Sequence, residues 1–222
     1  ALFCALPVLA HDLWLEQEQG ELVLYEGHRH SSHAGADSIA YAPGFVREAL
    51  CLDATGRTRG LAVGKTAPWR TGETCATLRV AVSSGYWSKT PWETVNKPRD
   101  QVPGVIKSWL SEESVKRIER WAAGADRPLG SGLEITPAGD PLAIRPGSKL
   151  VVLVTEDGQP RAGVPVAYGE DTRGVTGEDG RIAIRLRHGG IQLISASVDT
   201  PLTDGKADRR IRSASLQFDL PQ

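Results

Sequence analysis

The chain has 222 residues, enough for one large domain or two small ones with a buried core. Hydrophobic residues make up 40% and charged residues 24%, as in ordinary soluble globular proteins. The formal net charge is −1, so no basic field points to a nucleic-acid ligand. The 24 glycines and 14 prolines predict many turns, which favours β structure over a helical bundle.

The first ten residues, ALFCALPVLA, carry no charge and are typical of the end of a signal-peptide hydrophobic region. Val8 and Ala10 fit the −3 and −1 positions of a cleavage site. We therefore expect residues 1–10 to be a signal-peptide remnant, His11 to be the first mature residue, and the protein to be periplasmic. No later stretch of the sequence reaches the ~20 apolar residues that a membrane span needs.

Two cysteines, Cys51 and Cys75, remain after that cleavage. An even pair of cysteines in an exported chain predicts one disulfide bond. The two cysteines are far apart in the sequence, so they do not form a CxxC-type redox or metal motif.

The segment 11–130 is predicted to be a β-rich domain with a single helix. Strands are expected at 21–25 and 77–82, with weaker candidates at 44–52 and 61–63. The sequence of residues 84–110 predicts the end of a strand followed by a long loop. A helix is expected near 111–123, with Ser111 as its N-cap and Val115, Ile118 and Ala122 on one face.

The segment 131–222 is predicted to be an immunoglobulin-like β-sandwich domain, joined to the first by a linker at 125–132. About seven short strands follow one another at roughly ten-residue spacing. The continuous apolar run at 150–154 indicates a central strand, and the strict alternation at 181–187 indicates a strand with one buried face. The predicted fold class is therefore mainly β.

Three of the five histidines, His28, His30 and His33, fall within six residues directly after the strand predicted at 21–25. If the strand continues, His28 and His30 point to the same face, and His33 returns from a turn. Neutral imidazole binds Ni²⁺, Co²⁺, Cu²⁺ and Zn²⁺ alike. The fifth histidine, His188, is expected to be a structural residue at a hairpin end.

A mature N-terminal His11 offers both its α-amine and its ring nitrogen Nδ1 to one metal ion. Their ordinary pKa values, about 7.7–8.0 and about 6.5, allow both groups to lose their protons near neutral pH. A turn near 17–20 can fold the first strand back on the second, which predicts that His11 lies near His28 or His30. Asp12 and Glu26 are either outer partners that orient a histidine ring or ordinary surface carboxylates.

Several stretches in a fixed order resemble a known family. They are HDLWL at 11–15, LYEGHRH at 24–30, HAG at 33–35, GYWSKT at 85–90, GLEITP at 132–137, DGQP at 157–160, GVPV at 163–166 and TGEDGR at 176–181. The chain resembles the exported, periplasmic, substrate-specific components of nickel or cobalt uptake systems, long described only as a domain of unknown function. The resemblance spans nearly the whole mature chain.

The resemblance implies a periplasmic protein that binds Ni²⁺ or Co²⁺ and serves a membrane uptake transporter. It implies His11 and His28 as metal ligands, with His30 as a third and His33 as a further candidate. No Gly-x-Ser-x-Gly motif or glycine-rich phosphate loop occurs, so we do not expect an enzyme. Two alternatives stay open: a Cu²⁺ (or Zn²⁺) protein with an N-terminal histidine brace, as carrier or oxidative enzyme, and a structural module without metal.

Overall fold

A computed structural model describes residues 12–29 and 36–221 of the chain. This part is mainly β, as predicted, and none of its helices is long and apolar enough to cross a membrane. The strands are β1 (Asp12–Glu18), β2 (Glu21–Arg29), β3 (Ala36–Ile39), β4 (Val46–Leu52), β5 (Thr58–Gly60), β6 (Arg70–Thr71), β7 (Thr77–Lys89), β8 (Thr94–Val95), β9 (Lys107–Ile118), β10 (Leu133–Pro137), β11 (Lys149–Glu156), β12 (Gln159–Pro160), β13 (Pro165–Tyr168), β14 (Asp171–Val175), β15 (Arg181–Arg185), β16 (Gly190–Pro201) and β17 (Arg209–Leu220), and short 3-10 helices occupy Arg99–Gln101 and Pro141–Ala143.

One nine-stranded sheet runs through both halves of the chain. Its order is β14-β13-β16-β17-β9-β7-β4-β5, and β8 pairs with β7. The halves join where β17 lies parallel to β9, in a register from Arg209 opposite Trp109 to Phe218 opposite Ile118. Two four-stranded sheets complete the described fold: β1-β2-β3 with β6 on β2, and β10-β11-β12 with β15 on β11.

Each smaller sheet packs on the large one over its own apolar core, which gives the predicted β-sandwich layering. The first core lies between the β1–β2 hairpin and strands β4, β7 and β9, and includes Leu13, Leu15, Leu24, Val80 and Val115. The second lies between β10, β11 and β15 on one side and β13, β16 and β17 on the other, and includes Ile135, Val152, Ile194, Leu216 and Phe218.

The predicted disulfide bond is confirmed. Cys51 of β4 is bonded to Cys75, which precedes β7, and their Cα atoms are 5.4 Å apart. Both residues are buried in the first core. The bond therefore closes the connection between two neighbouring strands of the large sheet.

The helix predicted near 111–123 is wrong, because residues 107–118 form the long strand β9. This strand has a partner on each side, β7 antiparallel and β17 parallel. Its side chains alternate between two buried environments: Val115 belongs to the first core and Ile118 to the second. Pairing on both edges and burial on both faces outweigh the weak local preference for helix.

Three buried charged side chains join β7, β9 and β10. Glu134 lies 2.8 Å from Arg79 Nε and 2.7 Å from Lys116 Nζ, and each of the three side chains is 1% exposed. Glu134 also accepts hydrogen bonds from the backbone N–H groups of Leu129 and Gly130. Burial lowers the pKa of Lys116, while the nearby Glu134 carboxylate opposes that shift. This ion cluster ties the segment before β10 to the large sheet.

Reduction of the Cys51–Cys75 bond is expected to destabilise the fold by about 3–4 kcal/mol, because it frees a 24-residue loop in the unfolded chain. Urea unfolding of the oxidised protein and of the C51A/C75A variant measures the difference. Equal midpoints with equal slopes would contradict the expectation.

Gly130→Ala is expected to destabilise the protein by about 1–3 kcal/mol. A Cβ atom at position 130 would lie 2.7 Å from Arg79 Cζ, and Arg79 cannot move away cheaply because Glu134 and Glu48 hold it. Gly139→Ala is the matched control, since a Cβ atom there meets nothing within 4 Å. Thermal unfolding that ranks the two variants equally would show that Arg79 is not held as described.

Candidate metal centre

The start of β1 lies beside the end of β2, and the sequence predicts the metal site at this open end of the hairpin. In their antiparallel register Asp12 is opposite Gly27, and Leu13 is opposite Glu26. Asp12 directly follows His11 in the sequence, and Gly27 directly precedes His28. The hairpin therefore has the backbone geometry that the predicted contact between the start of the mature chain and the Gly-His motif requires.

The four predicted histidine ligands differ in what the structure describes. The backbone of His28 belongs to β2 and is opposite Asp37 of β3. His11, His30 and His33 lie outside the described residues, as does the predicted signal-peptide remnant. Within residues 12–29 and 36–221, no group of three or more His, Cys, Asp or Glu side chains is arranged to hold a metal ion.

Glu26 of β2 and Glu113 of β9 belong to different sheets, and the charge of Glu26 acts on the Glu113 carboxyl. Glu26 of β2 is only 9% exposed and follows the core residue Leu24 on the same face of the strand. Glu113 of β9 likewise precedes the core residue Val115 on its face. Glu26 and Glu113 therefore continue the first core towards its polar margin.

The Glu113 carboxyl is in an environment that disfavours its negative charge. Burial, followed by the negative charge of Glu26, raises its pKa to about 7, and Asp12 adds to the effect. The hydroxyl of Ser111 donates a weak hydrogen bond of 3.4 Å that opposes the shift. A cation beside Glu113 would offset the repulsion that this carboxylate experiences from Glu26 and Asp12, because opposite charge favours the ionised form.

Contacts on the hairpin face that carries Trp14 hold the start of β1 against the end of β2, next to the two predicted ligand segments. The backbone N–H of Arg29 donates to an Asp12 carboxylate oxygen at 3.2 Å. The Arg29 guanidinium pairs with Glu16 and lies 5.9 Å from the ring centre of Trp14. Trp14 in turn stacks on Tyr25 at 5.7 Å. These contacts hold the residue after His28 against the residue after His11.

The opposite edge of β1 is held by a side chain rather than by a neighbouring strand. The backbone N–H of Leu15 donates to Gln217 Oε1 at 2.9 Å, and Gln217 Nε2 donates back to the Leu15 carbonyl at 2.8 Å. Arg117 donates to the same carbonyl at 3.2 Å. Gln217 is fully buried, so its amide satisfies a strand edge that would otherwise lose its hydrogen bonds.

His188 lies away from this region, in the second half of the fold. Its Nε2 is 3.2 Å from the Tyr168 hydroxyl, and its ring stacks on Tyr168. The Gln192 amide donates to the His188 carbonyl at 3.0 Å. These contacts account for His188 as a structural residue.

The sequence reasoning missed Glu113. It placed this residue in the first turn of the helix predicted near 111–123, where a glutamate interacts favourably with the helix dipole. The signal that could have found it is the alternation of Ser111, Glu113, Val115 and Arg117 on one face of a strand. That pattern becomes visible only once residues 107–118 are taken as a strand.

The family comparison covers most of the chain. The model of a family described as a domain of unknown function, DUF4198, matches residues 8–200. The match includes the hairpin β1–β2, the strand β9 that carries Glu113, and most of the second half. No curated protein matches the chain.

Glu113→Gln is expected to change how the stability of the metal-free protein depends on pH. When folding raises the pKa of a carboxyl, that group does not lower the free energy of unfolding at a pH below its unfolded pKa. As the pH rises from there towards 7, its ionisation lowers the free energy of unfolding more and more. The variant should therefore gain stability over the wild type between about pH 5 and 8, by up to about 3 kcal/mol. Urea unfolding with a chelator present measures it, and a difference that stays constant with pH would count against the assignment.

Proposed function

The chain belongs to the DUF4198 family, and we propose that it binds a transition-metal ion, Ni²⁺ or Co²⁺, and delivers it to an uptake transporter in the membrane. The proposed ligands are His11, through its amine and ring, His28 and His30, with His33 as a further candidate. The protein acts in the periplasm after cleavage before His11. It carries its cargo and performs no chemistry on it.

The observation that carries this proposal is the register of the β1–β2 hairpin. Asp12 opposite Gly27 means that two segments, each predicted independently to bind metal, approach each other in the strand pairing. Metal–nitrogen bonds are only about 2 Å long, so ligands distant in sequence need such a pairing to share one ion.

The second support is electrostatic. The negative charges of Glu26 and Asp12 disfavour ionisation of Glu113, and a divalent cation bound beside Glu113 would offset that effect. Glu113 is proposed to contribute negative charge, or one oxygen, to the bound ion. Since the Glu113 carboxyl belongs to the large sheet, it would also fix the ion relative to the sandwich.

The function is tested by calorimetric titration of Ni²⁺, Co²⁺, Cu²⁺ and Zn²⁺ into protein whose start at His11 has been verified by mass spectrometry. We expect one site for nickel or cobalt with sub-micromolar affinity. One extra residue before His11 should weaken it at least tenfold, about 1.4 kcal/mol, because it removes the amine from chelation. Affinity should fall steeply below about pH 6, where protons compete for the imidazoles and the amine.

Matched variants separate the site from general effects on the fold. His28→Ala should abolish tight binding, whereas His188→Asn should leave it unchanged. Glu113→Gln should weaken binding several-fold, whereas Glu112→Gln should not, because Glu112 lies on the opposite face of β9 and pairs with Arg212 at 2.9 Å. Tight binding of copper alone would replace nickel and cobalt by a copper site, and binding of no metal would refute the proposal.

A further inference from the structure

The far end of β7 and β9 carries an exposed aromatic tip. β7 ends at Lys89, and the chain then turns sharply: the Thr90 N–H donates to the Glu93 carbonyl at 2.9 Å, and the Trp92 N–H donates to Thr90 Oγ1 at 3.3 Å. The Ile106 N–H donates to the Lys89 carbonyl at 2.9 Å. Trp92 therefore occupies the tip of a fixed turn, and Ile106 lies on the segment beside it.

Trp92 is 87% exposed and Ile106 is 62% exposed, the two highest values among the large hydrophobic residues that the structure describes. The turn that presents Trp92 is well held, because Thr90 is buried and bonded to both of the residues that follow Pro91. An exposed tryptophan side chain on a turn held by hydrogen bonds buries little apolar surface and so contributes little to the stability of the fold. Two strongly exposed apolar side chains on adjacent segments at one end of the sheet favour a contact surface.

Basic side chains lie on the segments next to these two residues, and Glu93 directly follows Trp92. Lys89 and Lys107 are directly opposite each other in the β7–β9 pairing, and like charges in that arrangement repel. Lys97 and Lys206 are also exposed, and the hydrogen bond from Arg99 N–H to the Lys206 carbonyl, 2.7 Å, brings their two loops together. Residues 89–107 contain four basic and two acidic side chains, and one of the basic ones, Arg99, is paired with Asp208 at 2.7 Å. Lys89, Lys97 and Lys107 are the basic side chains of this segment that remain for an anionic partner.

We propose that this end of the molecule, formed by Trp92, Ile106, Lys89 and Lys107 with the adjoining Lys97 and Lys206, docks reversibly on an anionic phospholipid surface. Tryptophan is the side chain best suited to the interface between lipid headgroups and acyl chains. Lysines around it attract anionic headgroups, and the mutual repulsion of Lys89 and Lys107 is relieved there. Two apolar side chains give a shallow, reversible contact.

Vesicle flotation tests the proposal. The probes are vesicles of pure phosphatidylcholine and vesicles that contain about 40% phosphatidylglycerol, at low and at 0.5 M salt. We expect binding only to the anionic vesicles and loss of binding at high salt, because the Debye length falls with ionic strength. Trp92→Ser and the double change Lys89→Gln/Lys107→Gln should each reduce the bound fraction at least fivefold.

Val175→Ser is the matched control, since Val175 is 59% exposed in β14 of the other half and its loss should leave binding unchanged. All variants share one N-terminus, so any contribution of residues 1–10 cancels, and circular dichroism verifies their folds. Equal binding by Trp92→Ser and the wild type would overturn the proposal. So would absence of the wild type from anionic vesicles.

Discussion

The structure depends on the parallel pairing of β9 with β17, which makes one sheet of two sandwich halves. Parallel neighbours so far apart in sequence are costly to bring together, because the loop between them must be closed before any contact forms. The buried cluster of Glu134, Arg79 and Lys116 compensates by holding β10 on β7 and β9. Its ions lose hydration, so loss of one partner would leave a buried charge uncompensated, which costs about 3–5 kcal/mol.

The same sheet determines where the start of the described chain lies. Among the described residues, β1 pairs with one strand, β2, and its other edge is hydrogen-bonded to Gln217 of β17 and Arg117 of β9. These two side chains come from the strands that join the halves. The position of Asp12, and with it the candidate metal centre, is therefore set by residues about a hundred or more positions away in sequence.

Much of the fold could be predicted from local patterns. The strands expected at 21–25 and 77–82 fall on observed strands, and the strand expected at 181–187 is observed at Arg181–Arg185. Their apolar residues follow strand spacing, and turn residues bound them. The segment 107–118 could not be predicted, because its buried Lys116 and Arg117 look like surface residues of a helix. Their partners, Glu134 and Asp219, are supplied only by the tertiary fold.

The candidate site, too, could be predicted from the sequence only in part. The histidines and the cysteine pair are visible as residue types in the sequence, and the disulfide needed no more than that. Glu113 depends on the face of β9, and the anchoring of β1 depends on a buried glutamine, so neither has a local signature. When a site is assembled from two sheets, the sequence therefore predicts only those of its residues that share a strand or a short motif.

The two proposals meet on strand β9. Glu113, beside the candidate metal centre, and Lys107, at the aromatic tip, are six residues apart on this strand, or about 20 Å at 3.3 Å per residue. Pairing with β7 on one side makes this a rigid spacer from Glu113 to Lys107. A protein docked through Trp92 would therefore hold the candidate metal centre away from the docking surface, by up to about that distance along β9.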